Sequence, residues 1–458
     1  MKYAIGLAAI VVILPVIVLF AISGHTAVNV NPAPAAIGVD TPVKVQLTNP
    51  HGVRRVAAYV EQNGATYPVF DRQTSSSTRL FWSRHAAPLS LTFAAGKDKA
   101  PNLKDGTARL VIEAVSNDFR GSTDSQAYDV KVVLSAPRVA ADGFQHYINQ
   151  GGMELVTFTP GGSWDQAGVR VGSYTFRSFP LPGHPDEQFA MFGYPWDLAP
   201  DVVPDVFARN AAGTEARANF TFKVFPKTFR ARDFVLTDAL MEKLVNSVDP
   251  TGQILPGKDL LTRFLYINRD LRRQNNQQLA DLRFKTEPKI LWHGAFIHWG
   301  KEEADFADVR DYIYQGKKVD RETHLGYELS DVIGGGVKAA NSGRVIWASN
   351  LGIYGNCVVL DHGYGLQSIY GHMQQINVKV GDMVEKGQSM GIAGETGLAG
   401  GVHVHFGMQI DGVQTNPKEW WDEHWIKDRI LSKLAPEKIA ELTADAPVAP
   451  VHARKHRR

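Results

Sequence analysis

The sequence predicts a mostly β, multidomain chain: two immunoglobulin-like β-sandwiches, a helical connector and a C-terminal antiparallel β domain. Apolar residues alternate with period two through the first half, the period turns helical from about Thr237, and glycine-rich strand text returns from about Asp320. At 458 residues and 44% hydrophobic content, the chain exceeds what one core serves and can build several.

The elements follow in chain order. Residues 1–23 read as an anchor, because Ala4 to Ile22 is a nearly unbroken apolar run preceded only by Met1-Lys2-Tyr3. Such a run is long enough to span a bilayer. Lys2 sets a cytoplasmic amino terminus. The expectation is therefore a single-pass protein of the inner (cytoplasmic) membrane, its remaining domains in the periplasm or otherwise outside the membrane. A cleaved signal peptide is the alternative, disfavoured by the length of the run and the poor cleavage text around His25-Thr26-Ala27.

Residues 24–136 show half-buried strands at Val43, Val45 and Leu47, at Leu110, Ile112 and Ala114, and at Tyr128, Val130, Val132 and Leu134. Ser135-Ala136-Pro137 breaks the pattern. A second series over residues 137–227 includes Val169 to Phe176 and Phe220, Phe222 and Val224, while Val206 to Ala216 reads as strand, turn and strand. This spacing is that of two immunoglobulin-like sandwiches. They carry no evident chemistry and serve as spacers or as docking surfaces for an envelope protein partner.

Residues 228–290 form the connector. Thr237-Asp238 offers a cap, Leu240 and Leu244 share a helical face, and Leu260, Leu261, Phe264, Leu271 and Leu282 continue the period after Asp249-Pro250-Thr251-Gly252. A connector packed beside a groove could regulate access to it. Residues 426–458 read as a C-terminal helix and a basic, solvated tail ending His452 to Arg458.

The chemistry concentrates in residues 291–425. His403-Val404-His405 opens an alternating strand, so His403, His405, Gly407 and Gln409 share one face while Val404, Phe406, Met408 and Ile410 line the other. Asp411-Gly412 then makes a turn. Upstream, His324 and Glu328 lie four apart with Gly326 midway, and in an extended segment all three share a parity. His372 follows a short apolar strand. Catalytic zinc takes three protein ligands from histidine and carboxylate and leaves a fourth position open. His324, Glu328, His372, His403 and His405 exceed that need by two.

In order and spacing, these motifs resemble the lysostaphin/LytM-type zinc peptidases, which cut the peptide bridges of bacterial peptidoglycan. The resemblance runs from about Asp320 to Trp421. It rests on His324 to position 328, on Tyr370-Gly371-His372 and on His403-Val404-His405, with supporting text at Asn341 to Val345, Tyr354 to Gly363 and Val380 to Gln388. It implies Zn2+ on His324, Glu328 and His405, proton handling by His372 and His403, and peptidoglycan as substrate. One position departs from the family pattern, since Glu328 stands where members use aspartate and is longer by a methylene. Asp331 is a poorer substitute, because its odd offset from His324 turns it to the other face. The implied reaction is metal-assisted amide hydrolysis with an imidazole as base. A non-catalytic domain of the same type, binding peptidoglycan or activating another wall hydrolase, is the rival.

Other features exclude or bound. A net charge of +2 offers no nucleic-acid signature. The single cysteine, Cys357, forbids an internal disulfide and reads as a buried inert thiol. His362 reads as structural or ligand-orienting, and Tyr327, Tyr354 and Tyr370 as core or rim packing residues or as groups that help bind substrate or stabilise the oxyanion.

Overall fold

Strands make up 47% of the computed structural model against 18% for helices, so the chain is mostly β, as the alternation predicts. The structure describes residues 13–76, 80–330 and 336–443. Two compact units divide it: Gly161–Gln166 and Ala208–Ala216 join the residues up to Arg138 in one, and the rest forms the other.

In the first unit, strands Ala27–Val30, Thr41–Thr48 and Leu89–Ala95 form one sheet. A second runs in the order Ala36–Ile37, Thr123–Val132, Gly106–Ser116, Val53–Gln62, Ala65–Gln73. Alternation does the positioning: Val43, Val45 and Leu47 of one sheet and Leu110, Ile112 and Ala114 of the other are buried in a single core. Each large apolar side chain so buried stabilises by about 1.5–3 kcal/mol.

The membrane anchor is overturned. Among the described residues no helix is long and apolar enough to cross a membrane. Helix covers residues 13–21 and a turn follows at Ile22. A span needs about 20 residues of continuous apolar helix, and the helix within the described residues is shorter than that. Residues 1–12 of the expected anchor lie outside the described residues, as do Asp331 and the basic tail His452 to Arg458.

In the second unit a three-stranded sheet pairs Ala231–Leu236 parallel to Asp308–Tyr314 and Asp308–Tyr314 antiparallel to Lys317–His324. A larger sheet runs Lys301–Ala304, Tyr327–Ser330, Val404–Ile410, Leu366–Ile376, Asn356–Gly363, Gly343–Asn350, Met383–Val384. Helix Asp238–Val248 starts where Thr237 Oγ1 accepts from Leu240 N at 3.2 Å, and helix Leu260–Tyr266 starts at Asp259, whose carboxylate accepts from Thr262 N. Helix Arg272–Asp281 follows. Met241, Leu244, Phe264 and Leu279 of these helices join Cys357, Val359 and Ile369 of the sheet in one core.

The parity of the His-x-His strand decides which face the helices cover. Gln409 donates to Leu279 O at 2.9 Å and to Gln367 Oε1 at 2.6 Å, and Gln367 donates to Leu282 O at 2.9 Å. Phe406, one pleat away, packs against Trp299, Tyr370 and Trp421. His405 therefore lies on the helix-covered face. The Asp411-Gly412 turn is present, with both residues at positive φ and Ile410 opposite Val413.

Cys357 reports on this core. It is fully buried, and burial pushes its thiol up to about 12. The native protein is expected to show no labelling by a thiol-disulfide reagent at pH 8, and one equivalent on denaturation. Rapid labelling of the native chain would mean that the helices do not cover the sheet.

Candidate functional site

Five side chains meet at one end of the helix-covered face, each delivered by a different local device. His324 is the last residue of strand Lys317–His324 in the small sheet, and Glu328 lies in strand Tyr327–Ser330 of the large one. The four-residue spacing thus spans a change of sheet rather than one continuous strand. Glu328 sits opposite His405 in the ladder. Gly326 makes room for a ring: a Cβ there would stand 2.6 Å from His405 Nε2.

His372 is aimed by a bulge. Asn356 pairs with Met373 and Val358 with Tyr370, leaving Gly371 and His372 opposite Cys357 alone. The extra residue kinks the strand. His372 takes φ +62°, a conformation histidine tolerates better than most. His403 precedes strand Val404–Ile410 in an isolated bridge to Gly394. The ring centroids of His324 and His405 are 4.9 Å apart and those of His372 and His403 4.8 Å.

Backbone carbonyls orient three of these rings. His324 Nδ1 lies 3.1 Å from Asp305 O, His372 Nδ1 2.8 Å from Thr396 O, and His403 Nδ1 2.8 Å from Gly401 O. A carbonyl only accepts, so each Nδ1 carries the proton and each Nε2 presents a lone pair. Gly355, at φ +61°, admits the Thr396 carbonyl, since a Cβ there would lie 2.3 Å from that oxygen. His324 Nε2 faces His405 Nδ1 at 3.0 Å. His403 Nε2 and His405 Nε2 are buried without a hydrogen-bond partner.

Residues 322–417 match the sequence profile of Peptidase family M23. The chain carries an M23-type domain. An 84-residue stretch, 18% of this chain, is 40% identical to the murein hydrolase activator EnvC of Escherichia coli, covering 20% of that protein. A 93-residue stretch, 20% of this chain, is 34% identical to the peptidoglycan DD-endopeptidase ShyA of Vibrio cholerae, covering 22% of it. The chain thus spans about a fifth of the length of these curated relatives. The catalytic domain of the antimicrobial peptidase lysostaphin from Staphylococcus simulans aligns with 31% of this chain and 96% of that one, at 25% identity and a TM-score of 0.21.

The M23 domain's donor set fits zinc at its histidines. Two nitrogens each ~2.0–2.1 Å from a tetrahedral zinc stand roughly 3.3 Å apart, close to the 3.0 Å between His324 Nε2 and His405 Nδ1. His405 Nδ1 donates to the His324 Nε2 lone pair in the metal-free pair, while the buried, unpartnered Nε2 atoms of His403 and His405 are what suit a cation receptor. Glu328 Oε1 is 3.7 Å from His324 Nε2 and is ion-paired with Arg310. No group of three or more His, Cys, Asp or Glu stands in metal-holding arrangement among the described residues.

Burial is the largest influence on the titration of His324, His372 and His405. It holds His324 and His405 well below the ordinary histidine range, with the Arg310 charge adding to it at His324 and the neighbouring His324 and His372 rings at His405. His372 is pushed down to about 3 by burial and then by His403. Burial pushes the Glu328 carboxyl up, but Arg310 and His403 outweigh it and leave it below the usual range.

A cleft of about 490 Å³ opens onto the site, lined also by Arg310, Leu244, Phe264 and Arg272. Arg310 is the residue that sequence reading missed. Its parity was the available signal, because it shares a face with the buried Asp308 and Tyr312. Tyr354 lines the cleft too, its ring 5.2 Å from His405 and its hydroxyl donating to Asn276. Tyr370 instead accepts from Ala340 N inside the domain, and Tyr327 packs on Trp421. His362 is bound to Ser342 O and Ser368 Oγ, away from the cluster, and burial pushes it down to about 4.

Buried neutral histidines make stability fall with acid. Unfolded histidine titrates near 6.5, so protons bind the unfolded chain first. The contribution of His362 and His372 is whole above about 6.5 and is lost progressively toward about 4 and about 3. The slope reaches ~1.4 kcal/mol per pH unit for each ring. Urea midpoints of the metal-free protein should drop between pH 7 and pH 5, and a level profile there would contradict the buried neutral rings.

Proposed function

We propose that the M23 domain is a zinc-dependent endopeptidase acting on the peptide cross-links of peptidoglycan. His324 Nε2, Glu328 and His405 Nδ1 hold the metal, and His372 and His403 handle protons. The observation that carries this reading is the pair of imidazole nitrogens facing each other at 3.0 Å beside two further rings with committed tautomers. Zinc supplies, when bound, Lewis-acid polarisation of a carbonyl and a lowered pKa for water.

The chain's own residues supply the rest. His372 Nε2 and His403 Nε2 present lone pairs, so either can take a proton from an attacking water and return it to the leaving amine. The carbonyls of Thr396 and Gly401 hold those rings in place and stabilise the imidazolium that forms in transit. Leu244 and Phe264 give the cleft an apolar wall, which lowers the local dielectric around the transferring proton. His405 must move its proton from Nδ1 to Nε2 for Nδ1 to act as a donor to metal.

Names borne by the relatives agree with a wall substrate and also mark a second reading. ShyA is called a peptidoglycan DD-endopeptidase and EnvC a murein hydrolase activator. The Arg310–Glu328 ion pair favours the latter, because a carboxylate engaged by arginine is a weaker ligand. In that case the domain binds peptidoglycan or an envelope protein partner without cutting. The β modules, read as immunoglobulin-like, and the helices before the domain then act as spacers or docking surfaces.

Release of soluble peptide fragments from purified peptidoglycan by the full chain decides between them. Release is expected, abolished by chelator and restored by zinc, and His372→Ala should lower it by about 10²–10⁴-fold. One equivalent of bound zinc with no chelator-sensitive release would establish the non-catalytic reading.

A further inference from the structure

Glu328 is the one proposed ligand that already holds a cation. Arg310, from strand Asp308–Tyr314, donates to Glu328 Oε1, the same oxygen that stands 3.7 Å from His324 Nε2. Both side chains are only 22% exposed, so solvent screens the pair weakly. Asp308, the nearest acid on the same strand face, is engaged elsewhere: its oxygens accept from Arg230 at 2.8 and 3.2 Å, and Arg232 stands 3.3 Å away. Nothing but Glu328 is hydrogen-bonded to the Arg310 guanidinium among the described residues.

A guanidinium and a divalent ion bound to the same carboxylate repel one another across a few ångströms of poorly screened space. An aspartate at this position would end one methylene short of the reach that glutamate has. Glu328 is long enough to serve either partner.

We propose that Arg310 is a resident competitor for Glu328, so that zinc binds the His324–His405 pair at full strength only when the guanidinium gives up the carboxylate. This rests on the metal reading above but not on catalysis. It also gives the Asp-to-Glu departure a physical role, since the longer carboxylate exchanges between an internal and an external cation.

The test is the zinc dissociation constant of the full-length protein, measured by competition with a chromogenic chelator, with folding followed by urea midpoint. Arg310→Met should tighten zinc by roughly tenfold to a hundredfold, the range by which a neighbouring charge shifts a carboxylate equilibrium. In a Glu328→Gln background the same change should have less than about a twofold effect, because the contested group is gone. Should Arg310→Met not fold, Arg310→Lys keeps the charge but loses the fork, and tighter zinc than wild type is again expected. Unchanged or weaker zinc in the folded Arg310 variant overturns the proposal and makes Arg310 an orienting partner of the ligand. Absence of zinc binding in every variant overturns it together with the ligand assignment. Zinc binding that follows the predicted order, without wall hydrolysis, defeats only the enzymatic reading.

Discussion

An imidazole that leans on a backbone carbonyl has no choice of tautomer, since the oxygen accepts and cannot donate. Asp305 O, Thr396 O and Gly401 O impose this on His324, His372 and His403. Each is left with an Nε2 lone pair in or beside the same cleft. Ligand geometry, proton-transfer competence and acid sensitivity all descend from that constraint. It is backbone-made, so it survives changes of surface side chain and depends on a few close approaches, such as the one Gly355 permits to the Thr396 carbonyl.

Competing demands on Glu328 come next. Burial, by itself, raises the pKa of this carboxyl, and the charges of Arg310 and His403 bring it below the usual range. A buried carboxylate needs a counter-ion, and the fold provides one from the neighbouring sheet. The same provision weakens the claim of any external cation. Enzyme and non-catalytic binder thus differ here by the strength of one ion pair rather than by a missing histidine.

Much of this was legible in the sequence, for reasons that can be named. Period-two parity correctly put His405 and Gln409 on one face and Phe406 on the other, because a strand allows no alternative. The ordered motifs around His324, His372 and His403 located the domain, which the family profile covers over residues 322–417. Parity was less informative where the backbone departs from regularity. His372 owes its direction to a bulge, and the His324–Glu328 spacing crosses from one sheet to another. Gly326 makes room for the His405 ring, a contact that spacing does not report. Arg310 had only its parity with Asp308 and Tyr312 as a signal, because its partner is set by the packing of two sheets, which no local pattern encodes. The apolar opening was read as a span, yet among the described residues no helix is long and apolar enough to cross a membrane.

The imidazole tautomers are the most direct point of attack, and ¹⁵N chemical shifts of the histidine rings read them without a substrate. In metal-free full-length protein at pH 7, His324, His372 and His403 should each show a protonated Nδ1 and a bare Nε2. One equivalent of zinc should leave His372 and His403 so and shift the His405 proton from Nδ1 to Nε2. A bare Nδ1 at His324, His372 or His403, or a charged ring at His324 or His372, in the metal-free protein would contradict the account.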